Sequence, residues 1–367
     1  MKFLLISPKN RTVYNFRGDL IKEISALNYT VIATGPDQTD VDKIIDLGVD
    51  FREISMNKNG TSIIGDLKYC SALYKLIKSE KPDVVLGYTI KPIIYGSIAA
   101  KLAKVKNINS MITGVGFVFT SKSTKARILN FIVKILYSIS LKCNNNIIFQ
   151  NKDDCEEFLE KKLAKKEKCH IVNGSGINMS HFTPKPIEGN FNFLMISRLL
   201  KSKGVLEYLA AAKIVKEKYP EVEFSLLGKI EEIPDCIPEN IVTPYLEEDI
   251  VTLHGETSDV RPFYEKCSIY VLPSYREGVP RTVLEAMAMG RPIITTDTNG
   301  CRETVIDGEN GYLIPVGNSD ILAEKMIYMI EHKEILPDMS ARSIEICENK
   351  FDVNIVNKKM LSIMGLE

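Results

Sequence analysis

Two glutamates, Glu277 and Glu285, bracket a Gly-Val-Pro turn in the stretch SYREGVPRTVLEAMAMGRPIITTD, residues 274–297. Proline suits the first position of a helix, where its missing N–H would have had no partner. With Pro280 in that place, Val283, Leu284, Met287 and Ala288 form an apolar face, Gly290 fits the stop and Pro292 follows it. The unpartnered N–H groups around Val279, Arg281 and Thr282 then point out of a positive helix end, a ready site for a phosphate. Gly278 lets a ligand come close to the backbone. A phosphate repels carboxylates, so the two glutamates have another task. They accept hydrogen bonds from hydroxyls on either side of it, Glu277 from the loop and Glu285 from a turn further into the helix. The spacing by itself fits equally well a Glu277 that caps the helix and a Glu285 in solvent.

A second polar set lies in SRLLKSKG, residues 197–204. Arg198 follows an apolar strand, and Lys203 comes five residues later, before a helix. Two cations on a strand-to-helix loop neutralise a departing diphosphate electrostatically, although an ordinary basic loop has the same composition. His254, after the apolar run IVTL, reads from the sequence alone as a loop histidine. The eight cysteines are scattered, with no C-x-x-C pair and no His and Cys cluster at metal spacing. They read as reduced thiols, and no metal is expected. GSG at 174–176 lacks the G-x-G-x-x-G spacing of a dinucleotide fingerprint, so no cofactor is expected either.

These loops need a framework that holds strand ends side by side. Short apolar runs alternate with longer amphipathic segments: FLLIS, then FRGDLIKEISALN with Leu20, Ile21, Ile24 and Leu27 on one face, then YTVIATG. PDVVLGY, INSMIT and NNIIFQN continue the series, with helical stretches such as KPIIYGSIAAKLAKV between them. Continuous apolar strands separated by helices imply a parallel sheet covered on both faces. Residues 179–192, MSHFTPKPIEGNFN, hold two prolines and a glycine without periodicity, and read as a linker. The pattern then restarts with NFLMISRL, VLEYLAAAKIVKEKY, EVEFSLLG, IVTLHG, VRPFYEKC, IYVLPS and PIITTD. The expected fold class is α/β: two doubly wound, Rossmann-like parallel-sheet domains facing a cleft. Their expected bounds are 1–184 and 188–350, with a C-terminal helix over 351–367. Ligands in such sheets bind beyond the carboxyl ends of the strands.

At 367 residues the chain has room for two domains, and 45% hydrophobic residues supply a core for each. The start MKFLLISPKN is too short in apolar residues for a signal peptide, and no window approaches the roughly 18 apolar residues of a membrane span. A cytoplasmic protein is expected, soluble or lying on a membrane without crossing it. Net charge is zero, yet residues 1–185 hold 28 Lys and Arg against 17 Asp and Glu, a surplus of 11, and the remainder is 11 negative. One half therefore suits an anionic partner. SKSTKARILNFIVKILYSISLKCNN sets Lys122, Lys125, Arg127, Lys134 and Lys142 around Ile128, Phe131, Ile132, Ile135 and Leu136. That is a basic amphipathic helix compatible with an anionic membrane surface, and its apolar face also suits a domain core. Arg11, Tyr14, Asn15 and Arg17, in the first strand-to-helix loop, are candidates for holding a ligand's sugar or diphosphate. Nucleic acid is not expected, because there is no recognition motif and no run of closely spaced aromatics.

The run EGVPRTVLEAMAMGRPIITTDTNGCRETVIDGENGYLI resembles the signature of the retaining glycosyltransferases of family 4, which have the GT-B fold. Their E-x7-E pair falls on Glu277 and Glu285, their basic motif on Arg198 and Lys203, and their G-x-x-E on GCRE, residues 300–303. NGSGINMSHFTP, residues 173–184, is similar to the family's approach to its linker. YNFRGDLIKEISALNYTVIATGP and GVGFVFT are more loosely similar to a subgroup that extends lipid-linked oligosaccharides for O-antigen, capsule and N-linked glycan assembly. That subgroup includes transferases that use UDP-N-acetylgalactosamine. The resemblance spans nearly the whole chain.

What it implies is transfer of a sugar, an N-acetylhexosamine from a UDP donor, onto a polyprenyl-diphosphate-linked glycan. The reaction would run at the inner face of the plasma membrane, with anomeric retention and without a metal. Glu277, Arg198 and Lys203 would be catalytic. Glu285, Gly278, Val279, Pro280, Arg281, Thr282, His254 and Gly116 would hold the donor, and Arg11, Tyr14, Asn15 and Arg17 the acceptor. The leaving phosphate would help deprotonate the acceptor hydroxyl, which attacks the same face. The C-terminal helix would cross back to the first domain. One position departs from the family. Where many members have a first-domain histidine on the donor sugar, this chain has TGVGF with Val115, leaving the backbone of residues 114–116 as a substitute. Two other classes stay open. A nucleotide-sugar epimerase on the same fold would need first-domain acid and base groups, for which only Asp19, Glu23 and Asp83 are available. A nonenzymatic subunit that binds a nucleotide sugar would have no reason to keep Glu277, Glu285, Arg198 and Lys203.

Overall fold

The computed structural model describes residues 1–57, 60, 62–114, 124–230 and 235–367, and of residues 124–130 the backbone alone. The chain forms two units, Met1–Ser175 with Asn354–Glu367, and Gly176–Val353. The division falls ahead of the boundary expected at 184. The reason lies in residues 179–192, whose composition suggests a free linker but whose side chains are fastened to the second unit. Phe182 is buried with its ring 6.5 Å from Tyr264. The fully buried Arg291 donates to the carbonyls of Lys185 and Pro186.

The first unit runs β1 (Lys2–Ile6), α1 (Asn10–Ala26), β2 (Thr30–Gly35), α2 (Val41–Ile45), β3 (Asp50–Glu53), α3 (Ile63–Glu80) and β4 (Val84–Tyr88). It continues through α4 (Ile90–Leu102), β5 (Asn107–Ile112), α5 (Thr124–Lys142), β6 (Asn146–Phe149), α6 (Lys152–Glu160) and β7 (Cys169–Ile171). The sheet order is β3-β2-β1-β4-β5-β6-β7, every pair parallel. Phe3 and Leu5 of β1 pack in one apolar cluster with α1, and Leu4 and Ile6 in another with α3 and α4. Burial on both faces is why these strands read as unbroken apolar runs.

Helix α1 starts at Asn10, so Arg11, Tyr14, Asn15 and Arg17 lie in its first two turns and not in a loop. Its buried stripe is Asn10, Val13, Arg17, Leu20, Ile21 and Ile24. That helical period carries Arg17 into the core with the apolar residues. Leu27, expected on the same face, ends the helix and is exposed.

The second unit runs β8 (Asn192–Ile196), α7 (Val205–Lys218), β9 (Glu223–Leu227), α8 (Glu239–Glu247), β10 (Thr252–Leu253), α9 (Arg261–Lys266) and β11 (Ile269–Leu272). Then come α10 (Arg281–Ala288), β12 (Ile293–Thr296), β13 (Gly311–Ile314), α11 (Ser319–Glu331) and α12 (Leu336–Ile346). The order is β10-β9-β8-β11-β12-β13, again parallel throughout. The run IVTLHG forms only the two-residue edge strand β10. In each sheet the order reverses beside the first strand, between β1 and β4 and between β8 and β11. Such a switch point opens a crevice at the carboxyl ends of the strands.

The last helix, α13 (Val353–Met364), packs in the first unit. Val356, Met360, Leu361 and Met364 join the cluster built on Phe3, Leu5 and α1. Asn357 donates to Glu23 at 2.7 Å, and Asn107 donates to the Met364 carbonyl at 2.7 Å.

Candidate active site

The loops after β8 and β11 meet at the switch point of the second sheet. The first holds Arg198 and a 3-10 turn, Lys201–Lys203; the second leads from Pro273 to α10. Gly204, at φ 74°, closes the turn, and a Cβ there would lie 2.0 Å from the Pro273 carbonyl oxygen. Only glycine allows the two loops to touch in that way. The Tyr275 N–H donates to the Ser202 carbonyl at 2.9 Å and locks them together. As a result Lys203 Nζ stands 2.5 Å from Glu277 Oε1, with the two side chains 23% and 14% exposed. The buried Ser274 hydroxyl donates to the same carboxylate oxygen at 2.8 Å.

Glu277 is supported from behind as well. Its N–H donates to the Asn299 carbonyl at 3.1 Å. Gly300, at φ 78°, lies against the carbonyls of Glu277 and Gly278, so close that a Cβ would come within 2.4 and 2.2 Å of them. The buried Cys301 follows, and burial, then the nearby Glu277 charge, push its thiol up to about 12. Glu277 does not cap the helix, because no side-chain cap bond is made at α10. Pro280 is the cap residue and not the first helical one: its backbone is extended and its carbonyl accepts from the N–H groups of Val283 and Leu284. Gly278, Val279 and Pro280 are buried, and Arg281 and Thr282 form the first turn. Gly290, at φ 78°, closes the helix with its N–H on the Met287 carbonyl.

Glu285 is also held, and is not a solvated side chain. One carboxylate oxygen accepts from the Tyr264 hydroxyl at 3.1 Å, the other from Arg281 Nε at 3.2 Å. Burial, with the Glu285 charge second, raises the Tyr264 pKa, so the phenol stays a donor. Arg281, expected to touch the donor, here orients Glu285 and donates to the Gly176 carbonyl at 3.1 Å. Ser274, Cys301 and Tyr264 were not singled out from the sequence. Tyr264 had a signal, an aromatic on the buried face of VRPFYEKC; Ser274 and Cys301 had none.

The remaining candidates divide. Arg198 is exposed on the loop that carries Lys203. His254 has its Nε2 3.2 Å from Ser225 Oγ and its ring edge-on to Phe263, centroids 5.0 Å apart, on the flank of the sheet. In the first unit Arg11 and Asn15 are exposed. The Tyr14 hydroxyl donates to Asp40 at 3.0 Å. Arg17 is 2% exposed, its guanidinium 5.3 Å from the centre of the Tyr88 ring and one nitrogen donating to Met111 Sδ at 2.9 Å. The structure thus corrects Arg17 from a loop residue to a core residue. Gly116 and Val115 lie outside the described residues.

Known proteins match this chain along most of its length. Residues 2–151 match the family model described as "Glycosyl transferase 4-like", and residues 190–332 match "Glycosyl transferases group 1". An N,N'-diacetylbacillosaminyl-diphospho-undecaprenol alpha-1,3-N-acetylgalactosaminyltransferase of Campylobacter jejuni is 28% identical over 377 residues, spanning 99% of this chain and 98% of its own. A UDP-Gal:alpha-D-GlcNAc-diphosphoundecaprenol alpha-1,3-galactosyltransferase of Escherichia coli is 29% identical over 313 residues, 81% of this chain and 78% of its own. Among solved structures, a glycosyltransferase of Rickettsia africae has a TM-score of 0.79 at 20% identity over 99% of this chain and 97% of its own. Anabaena HepE, solved with UDP and glucose, has a TM-score of 0.80 at 16% identity over 100% and 99%.

Proposed function

The chain belongs to the family 4 glycosyltransferases of the GT-B fold, and we propose that it moves an N-acetylhexosamine from a UDP donor onto a polyprenyl-diphosphate-linked glycan, with retention and without a metal. The observation that carries this reading is the Lys203–Glu277 pair at the switch point, with Glu285 held beside it on α10. The nucleotide's phosphates lie against the start of α10. Lys203 and Arg198 offset the charge that builds on the diphosphate as the bond to the anomeric carbon breaks. Glu277 accepts from hydroxyls of the transferred sugar, and Glu285 from the ribose. The acceptor hydroxyl enters on the face the diphosphate leaves and gives its proton to a leaving phosphate oxygen. The choice of acceptor is supported by the two curated relatives, both named for diphospho-undecaprenol glycans.

We further propose that the enzyme lies on the inner face of the plasma membrane. Among the described residues no helix is long and apolar enough to cross a membrane. Helix α5 turns Val133, Tyr137 and Leu141 into the core and leaves Phe131, Ile132, Ile135 and Ile139 exposed. Ile63, Ile64 and Leu67, in the first turns of α3, are exposed too. Residues 84–152 contain ten Lys and Arg and no Asp or Glu. Exposed apolar side chains in a purely cationic stretch suit an anionic lipid surface.

The test is a donor screen with purified protein and UDP-, GDP- and ADP-sugars, reading nucleotide diphosphate release with and without a polyprenyl-diphosphate-linked glycan, and with and without a chelator. Acceptor-dependent release from a UDP-N-acetylhexosamine, indifferent to chelation, is expected. Sugar interconversion without acceptor would make the protein an epimerase, and loss of activity on chelation would end the metal-independent mechanism.

A further inference from the structure

Tyr275 stands two residues before Glu277, in the loop after β11, and joins three segments at once. Its N–H donates to the Ser202 carbonyl at 2.9 Å, in the turn that ends at Lys203. Its hydroxyl donates to Glu207 Oε1 at 2.6 Å, in the first turn of α7. Its carbonyl accepts from the Thr298 hydroxyl at 3.0 Å, next to Asn299, whose carbonyl takes the Glu277 N–H. The first two contacts bracket Lys203 in the chain, one residue before it and four after. Asp235, from another segment, also holds the Ser202 hydroxyl, but the Tyr275 side chain is what carries the tie past Lys203 to α7.

Tyr275 is 43% exposed, so burial of its ring contributes little, and the O–H is what distinguishes it from a phenylalanine. The Glu207 bond, then burial, push the phenol up to about 12, so it stays a donor at neutral pH. A hydroxyl donating to a carboxylate is among the stronger hydrogen bonds.

We propose that the Tyr275–Glu207 bond positions Lys203 against Glu277, and that Tyr275 acts on sugar transfer through that pair without touching the donor. Its effect on turnover rests on the transferase reading above; the clasp itself does not. A misplacement of about 1 Å in a catalytic group can cost roughly a hundredfold in rate, so a clasp outside the reacting atoms has kinetic weight.

Trace acetylation with acetic anhydride tests the clasp, read by peptide mass spectrometry on the full chain without ligand. The exposed Lys201 of the same turn is the internal reference. Lys203, paired with Glu277, should label more slowly than Lys201 in the parent. Tyr275→Phe and Glu207→Leu should each raise Lys203 labelling roughly threefold or more relative to Lys201, and the double variant no further, because both changes remove one contact. Glu207→Gln keeps an oxygen for the hydroxyl and should recover most of the protection that Glu207→Leu loses. In steady-state kinetics with the donor from the screen, Tyr275→Phe should lower kcat about tenfold and move the donor KM less than about twofold. Unchanged Lys203 labelling, unchanged kcat, or a raised KM at constant kcat would overturn the assignment. A parent protein that transfers no sugar would overturn the reading of function instead, and the labelling would still decide the clasp.

Discussion

Glu277 is oriented before any ligand arrives, by Lys203 and Ser274 on its carboxylate and by Asn299 and Gly300 behind its backbone. A group fixed in this way needs no rearrangement as charge develops, which is where electrostatic catalysis gains most. Replacing Glu277 by Ala should lower kcat at least roughly a hundredfold, a loss of about 3 kcal/mol of transition-state stabilisation. Steady-state kinetics with the donor found in the screen measure it, and near-normal turnover would end the role assigned to this residue. The spacing of Glu277 and Glu285 and the basic loop were legible because both motifs are continuous in the chain. Ser274 and Cys301 were not: the Ser274 bond depends on how the loop after β11 turns back on itself, and Cys301 comes near Glu277 only because the loop after β12 lies against that loop at Gly300. Arg17 shows the opposite failure: its residue type suggested a surface, and its helical period placed it inside.

At the scale of elements, α5 divides its apolar residues between the core and solvent. Its apolar residues occupy more than one stripe, so reading it as core or as membrane surface seemed to be a choice. The packed helix turns Val133, Tyr137 and Leu141 inward, as a core reading requires, and leaves Phe131, Ile132, Ile135 and Ile139 exposed, as the proposed membrane face requires. Full burial of one such side chain is worth roughly 1.5–3 kcal/mol, and about 1.4 kcal/mol is a tenfold change in partition. The double variant Phe131→Ser, Ile135→Ser should therefore bind phosphatidylglycerol vesicles at least tenfold more weakly, with unfolding unchanged because both side chains are already exposed. Co-sedimentation reads this, and equal pelleting of variant and parent would remove α5 from the membrane surface.

At the scale of the whole molecule, α13 ties the end of the chain to its beginning. Met360 is fully buried among residues of the first unit, and Met360→Ala should cost about 2–5 kcal/mol. Hydrogen exchange should show protection lost in β1, β4 and β5 and retained in β8, β11 and β12; the reverse pattern would contradict the packing of this helix. The order of strands and helices, the two-unit α/β plan and the motif residues were determined by sequence alone, because each depends on periodicity or spacing along a short stretch. Tertiary structure decided the rest. The boundary moved to Ser175 because Phe182 and Arg291 fasten the supposed linker to the second sheet. Lys203 met Glu277 because Gly204 lets loops 74 residues apart lie against one another, and contact at that separation is a property of packing that no local pattern carries.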